Sequence, residues 1–156
     1  MQSFKIIKPI HILTPYVRYY WILEDGADVS VSERTLPTGC IQLVSHRGKR
    51  LLLVGKKESQ PQAFICGQCL NFSDVMSAGK IEMITVVFQP YAARAILQLP
   101  LKFFYGELIA VDAIADLELS ILSRKVIEAD DHETCIRLIE QFLIHRLYRF
   151  EGYEYN

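Results

Sequence analysis

The sequence predicts an α+β domain in which an antiparallel β-barrel or sandwich comes first and helices follow. Three observations predict it. Before residue 90, about eight short apolar runs are separated by frequent turn signals, the spacing of an all-β sandwich or barrel. In the last of them Ile84, Val86 and Phe88 alternate with period two, whereas from Pro90 the apolar residues Ala93, Ile96 and Leu97 recur with the period of a helix. Beyond that junction, aspartates precede apolar stripes of helical spacing, as N-caps do. At 156 residues the chain is the size of one domain and buries a core without staples. Its parts are a β-barrel portion at 1–89, a helical portion at 90–150 and a tail at 151–156.

In order, Phe4–Lys8 forms a first short strand. Thr14 caps a helical turn with Pro15 at its first position, where a missing N–H costs nothing. Tyr19–Leu23 is aromatic and β-branched enough for a central strand, ended by Asp25-Gly26. Val29–Leu36 alternates weakly and closes at Pro37-Thr38-Gly39. Cys40–His46 places Ile41 and Leu43 on one face and Gln42 and His46 on the other. Arg47-Gly48-Lys49 then makes a tight hairpin into Leu51–Val54. Gly55–Gln62 is a polar loop, and Ala63–Cys66, Phe72–Met76 and Ile81–Gln89 complete the strands.

Pro90 opens a helix and Pro100 stops it. Tyr105–Leu108 is one further helical turn. Asp112 or Asp116 caps a helix from about Leu117 to Ala129. The last helix starts at Asp130 or Asp131, with Glu133 in a capping-box position. Its main apolar face is Ile136, Ile139, Leu143, Leu147 and Phe150, extended by Phe142 and Cys135, and covers one open side of the barrel. Ile144 and Tyr148 lie four apart on the more polar side, the place expected for a dimer or interdomain contact.

Composition narrows the function. Half of the residues are hydrophobic (51%) and 22% are charged, as in an ordinary globular chain rather than a disordered one. A net charge of −1 and a pI of about 6.4 argue against a domain that binds nucleic acid by itself. No apolar run has the length of a membrane span and the N-terminus lacks a signal-peptide core, which points to the cytoplasm. Cysteines 40, 66, 69 and 135 follow no disulfide framework. Cys66-Gly67-Gln68-Cys69 has redox or half-zinc spacing, but it reads strand to strand. A reactive pair needs a helix N-terminus there, and a zinc site needs two more near ligands.

The four histidines are scattered, without the paired spacing that a metal-dependent barrel enzyme needs. Nucleophile elbows, phosphate loops and dinucleotide glycine motifs are absent. No enzyme, metal or cofactor is therefore expected. Arg47, Lys49, Arg50, Lys56 and Lys57 carry no interleaved aromatics and read as a solvated rim. Tyr19 and Trp21 on the aromatic strand suit the wall of a small-molecule pocket, with Arg34, Gln42 and His46 as its polar contacts if they point inward. Alternation alone does not tell which strand face is inside.

Several segments, in this order, resemble the N-terminal domain of AraC-type bacterial transcription regulators. They are Pro15–Trp21, Leu36–Val44 (Leu-Pro-Thr-Gly-Cys-Ile-Gln-Leu-Val), Gly67-Gln68, Val86–Pro90, Ala95–Leu97, Leu99–Leu101 and Glu107-Leu108. Thr38 and Gln42 stand where the family commonly has Asp and Glu. The resemblance implies a cupin-like antiparallel β-barrel or sandwich followed by three or so C-terminal helices. It further implies a domain that senses an unidentified small-molecule effector and forms a homodimer. DNA would be bound only through a helix-turn-helix domain absent from this chain, to which 151–156 would link. The other readings are a cupin-like small-molecule enzyme and a ligand-free structural dimerisation module.

Overall fold

The computed structural model describes residues 2–25, 40–48, 50, 52–53, 58–66, 75–76, 80–90, 92–98 and 109–155. It is α+β. An open antiparallel sheet holds strands β1 (Gln2–Ile7), β2 (Val17–Asp25), β3 (Gln42–His46), β6 (Ala63–Cys66), β8 (Ile81–Phe88) and β9 (Ile109–Ala110). Their order is β1-β2-β8-β3-β6-β9. A smaller sheet of β4 (Leu52–Leu53), β5 (Glu58–Ser59) and β7 (Val75–Met76) runs β5-β4-β7. The helices are α1 (Ala92–Leu97), α2 (Leu117–Glu128) and α3 (His132–Tyr155). None of the described helices is long and apolar enough to cross a membrane.

The junction at Pro90 folds as its periodicity predicts. Ala92 N–H bonds to Gln89 O at 3.0 Å to open α1, whose Ala93, Ile96 and Leu97 are buried while Arg94 is exposed. The helix ends before Pro100 is reached. Gln98 takes a φ of 56°, in the left-handed region, and its N–H returns to Arg94 O at 2.9 Å, closing the last turn. Asp116 caps α2 by accepting from Leu119 N–H at 3.1 Å, and Asp131 caps α3 by accepting from Thr134 N–H at 2.7 Å.

Four local expectations are corrected. Thr14 ends a turn rather than starting one: its hydroxyl and N–H both bond to His11 O, closing a 3₁₀ turn over His11–Leu13. The strand after Cys40 does not form a hairpin with β4. Arg47 N–H and Gly48 N–H both go to Glu82 O, at 2.7 and 3.3 Å, so the chain leaves along β8. Gly48 is needed there, because a Cβ would stand 2.7 Å from Lys80 O and 2.9 Å from Glu82 N. The polar stretch 55–62 contains β5, which pairs with β4. Finally, strands do not cease at Pro90: β9 returns to pair with β6.

Helix α3 also runs on through 151–155, where a tail was expected, for a length of about 36 Å. Its buried line is Cys135, Ile139, Leu143 and Leu147, with Ile136 and Phe142 half-buried beside it. The expected strand at 29–36, the turn at 37–39 and the helical turn at 105–108 lie outside the described residues, as do Arg34 and Cys69.

The sheet has two buried faces. On one, Tyr20, Ile22, Leu43, Ile65, Ile84 and Val86 pack with the apolar stripes of the three helices into the larger core. On the other, Trp21, Leu23, Val44, Phe64, Met83 and Val87 make a second cluster. A bulge between Val17 and Tyr19 lets Val17 join the helix side while Tyr19 turns to the second cluster.

Candidate functional site

Strand register brings four of the expected ligand contacts onto one face. Counting across the sheet, Trp21 stands opposite Thr85, Thr85 opposite Val44, and Val44 opposite Phe64. In the next row Gln42 lies between Val87 and Cys66. In the row on the other side His46 faces Met83. Gln42 and His46 are thus diagonal neighbours of Thr85, about 7–8 Å away in an antiparallel ladder. Tyr19 sits at the rim of the same cluster.

These polar side chains are fully buried on an apolar, aromatic face. Burial of a polar group without a partner is costly, so native chains rarely leave one so. Yet among the described residues, neither amide atom of Gln42 nor the hydroxyl of Thr85 has a hydrogen-bond partner. His46 Nε2 lies 2.8 Å from Gln60 Oε1, so Nε2 carries the proton and donates it. That leaves His46 Nδ1 as a bare acceptor and Gln60 Nε2 as an unused donor, both buried. Burial pushes the His46 pKa down to about 4 against the opposing hydrogen bond that His46 donates to Gln60, with the Arg50 charge lowering it further. The imidazole is neutral at pH 7.

Of the residues expected to bind ligand, Tyr19, Trp21, Gln42 and His46 share this face, and Arg34 lies outside the described residues. Thr85 and Gln60 were missed. Thr85 sits in the apolar run Ile84–Phe88 and looks like β-branched filler; its period-two kinship with Met83 and Val87 was the available signal. Gln60 lies in a stretch read as solvated loop, where nothing in the sequence marks it. Neither Ile144 nor Tyr148 touches this face. Ile144 is half-buried against the helix-side core, and Tyr148 is 60% exposed.

The helix side carries a different cluster. Glu24 and Glu82 are cross-strand neighbours, and His132 Nε2, at the start of α3, lies 3.0 Å from Glu24 Oε1 and 2.6 Å from Glu82 Oε1. Their ligand atoms fall within 4.8 Å of one another, so these are the described side chains that could jointly hold a metal ion. Arg47 already occupies Glu82, with Nη1 3.1 Å from Oε1, and its Nη2 donates to Ala129 O. The group ties the end of β3 and the start of α3 to β8.

A six-stranded antiparallel sheet with helices against one face and an uncharged polar cluster buried in the other defines an α+β sheet-and-helix domain. The chain belongs to the family described as Domain of unknown function (DUF6597), whose model matches residues 5–110. That span runs from β1 to the end of β9 and contains every residue of the polar cluster; α2 and α3 follow it. No curated protein matches the chain.

Proposed function

We propose that this chain is the effector-sensing and dimerising domain of an AraC-type transcription regulator, acting on DNA only through a separate helix-turn-helix domain. The observation that carries the reading is that, among the described residues, the buried polar atoms Gln42 Nε2 and Oε1, Thr85 Oγ1, His46 Nδ1 and Gln60 Nε2 have no hydrogen-bond partner, on a face otherwise lined by aromatic and aliphatic side chains. Pockets for small molecules have that composition. The ordered motifs that resemble AraC-type sensor domains add support, from Pro15–Trp21 to Glu107-Leu108. In this reading the two sheets are the walls of a cupin-like barrel, the protein works in the cytoplasm, and no catalysis, metal or cofactor is involved.

A ligand acts through its different affinity for two arrangements of the protein. His46 and Arg47 are consecutive at the end of β3. His46 belongs to the polar cluster, while Arg47 reaches Glu82 and the Ala129 carbonyl just before α3. Ligand contact at His46 is therefore passed to the start of α3, and α3 carries the output through the side bearing Ile144 and Tyr148. Sedimentation and native mass spectrometry of the chain after incubation with a bacterial small-molecule extract test the reading. A dimer carrying an adduct that Gln42→Leu loses would support it; a monomer that carries no adduct would overturn it.

A further inference from the structure

We infer that the cluster takes an uncharged, planar ligand bearing an adjacent hydrogen-bond donor and acceptor (a carboxamide, lactam or similar neutral heterocycle) and rejects ionised analogues. This rests on the ligand-sensing reading above and specifies its chemistry. Gln42 offers Nε2–H and Oε1 side by side, and both lack partners among the described residues. A primary amide in that state is complementary to another amide or lactam, which returns one acceptor and one donor in the same plane. His46 Nδ1 and Gln60 Nε2 form a second acceptor and donor, and Thr85 Oγ1 serves in either role.

The inventory does not depend on how the Gln60 amide is oriented. With O and N exchanged, His46 Nε2 accepts from Gln60, which leaves Gln60 Oε1 as an acceptor and His46 Nδ1–H as a donor. The balance is still one of each, and still uncharged.

The described strand segments around the cluster carry no charged residue. The segments 19–23, 42–46, 64–66 and 83–87 contain no Asp, Glu, Lys or Arg. Among the described residues, cations stand at the rim: Arg18, exposed, donates to Cys40 Sγ at 3.4 Å, and the charge of Arg50, also exposed, acts on His46. His46 itself stays neutral at pH 7. An ionised carboxylate brought among these groups would lose its hydration and meet, among the described residues, no countercharge nearer than the exposed rim cations Arg18 and Arg50, which makes its burial costly. Trp21 and Phe64 flank the Thr85–Val44 row, one on each side, and supply flat apolar surface to a planar ring.

Matched pairs read this directly: nicotinamide against nicotinate and uracil against orotate, measured at pH 7 on the full chain by thermal shift and calorimetry. The neutral member of at least one pair is expected to raise the melting midpoint and to bind about tenfold or more tighter than its carboxylate. Gln42→Leu should abolish that binding. Thr85→Val, which changes shape least and folds most safely, should weaken it several-fold. Carboxylates that bind as well as their neutral partners, with loss in Gln42→Leu, would overturn the ligand class while leaving the ligand site standing. No shift from any member of either pair, with both variants folded, would count against the class and the site together.

Discussion

The two faces of the central sheet are equally buried and differently finished. On the helix side, buried cations meet opposite charge. Arg146 is 5% exposed, donates from Nη2 to both oxygens of Asp116 at 2.7 and 2.8 Å, and reaches Leu97 O with Nη1 at 3.3 Å. Its guanidinium also lies over the Phe142 ring, 4.8 Å from the centroid. Tyr20, on the sheet, donates to Glu140 Oε2 at 3.1 Å, and the same oxygen accepts from Ile10 N–H. On the opposite face Gln42 and Thr85 are as deeply buried and have no partner among the described residues. The helix side also leaves Ser123 Oγ and Arg146 Nε without a hydrogen bond, but its buried charges are paired, whereas the side chains of Gln42 and Thr85 have no compensating partner among the described residues; a chain that carries such a cost is expected to recover it on binding.

The largest test of that contrast is Arg146. One guanidinium joins the last carbonyl of α1, the cap of α2 and the middle of α3, so its removal strands Asp116 and Leu97 O together. Arg146→Ala should lower the unfolding free energy by about 3–5 kcal/mol, the range for breaking a buried pair from one side. Urea denaturation measures it. A loss below about 1 kcal/mol would mean that the helix side does not depend on its ion pairs, and the contrast would weaken.

Next in size comes pH, which reads the other face. His46 has a folded pKa of about 4 against an ordinary 6.5. Between those values the unfolded state binds more protons than the native one, so stability rises with pH there and is lost on acidification. The contribution is whole above pH 6.5 and is lost progressively towards pH 4, by an amount of the order of a few kcal/mol. His46→Gln should flatten this dependence, measured as unfolding free energy at pH 7, 6 and 5. An unchanged slope in the variant would place a titratable group elsewhere in control.

The sequence made the local elements legible and the pairing obscure. Asp116 was readable as a cap because its chemistry is confined to one helical turn, and the Pro90 junction because period two and period 3.6 do not mimic each other. The alternation of Ile41 and Leu43 against Gln42 and His46 was legible too. Its meaning was not: with both faces buried, polar-in and polar-out produce the same pattern. The return of β9 to β6 and the path of Arg47-Gly48 along β8 are set by contacts distant in sequence, which periodicity does not carry. Gln42 was flagged as a polar side chain on an otherwise apolar strand; Thr85 had no such flag, since a threonine in a strand is ordinary.

The finest test deletes one hydroxyl from each face and compares signs. Tyr20→Phe removes a bond that satisfies Glu140, so it should cost about 1.5 kcal/mol, at the lower end of the net range for a hydrogen bond to a charged group. Burial, followed by the Glu140 charge and hydrogen bond, already drives the Tyr20 phenol pKa well above its ordinary value, so the bond is present at every working pH. Thr85→Val removes a hydroxyl that is desolvated without compensation, and the methyl that replaces it fits a cluster of Trp21, Val44 and Val87. It should leave stability unchanged or raise it by up to about 1 kcal/mol. Paired urea titrations at pH 7 decide between the two. If both variants lose stability equally, Thr85 is a satisfied structural residue and the polar face has no surplus to offer a ligand. If the signs are opposite, the two faces have been shaped for different ends: one to hold the helices on, the other to keep donors and acceptors waiting.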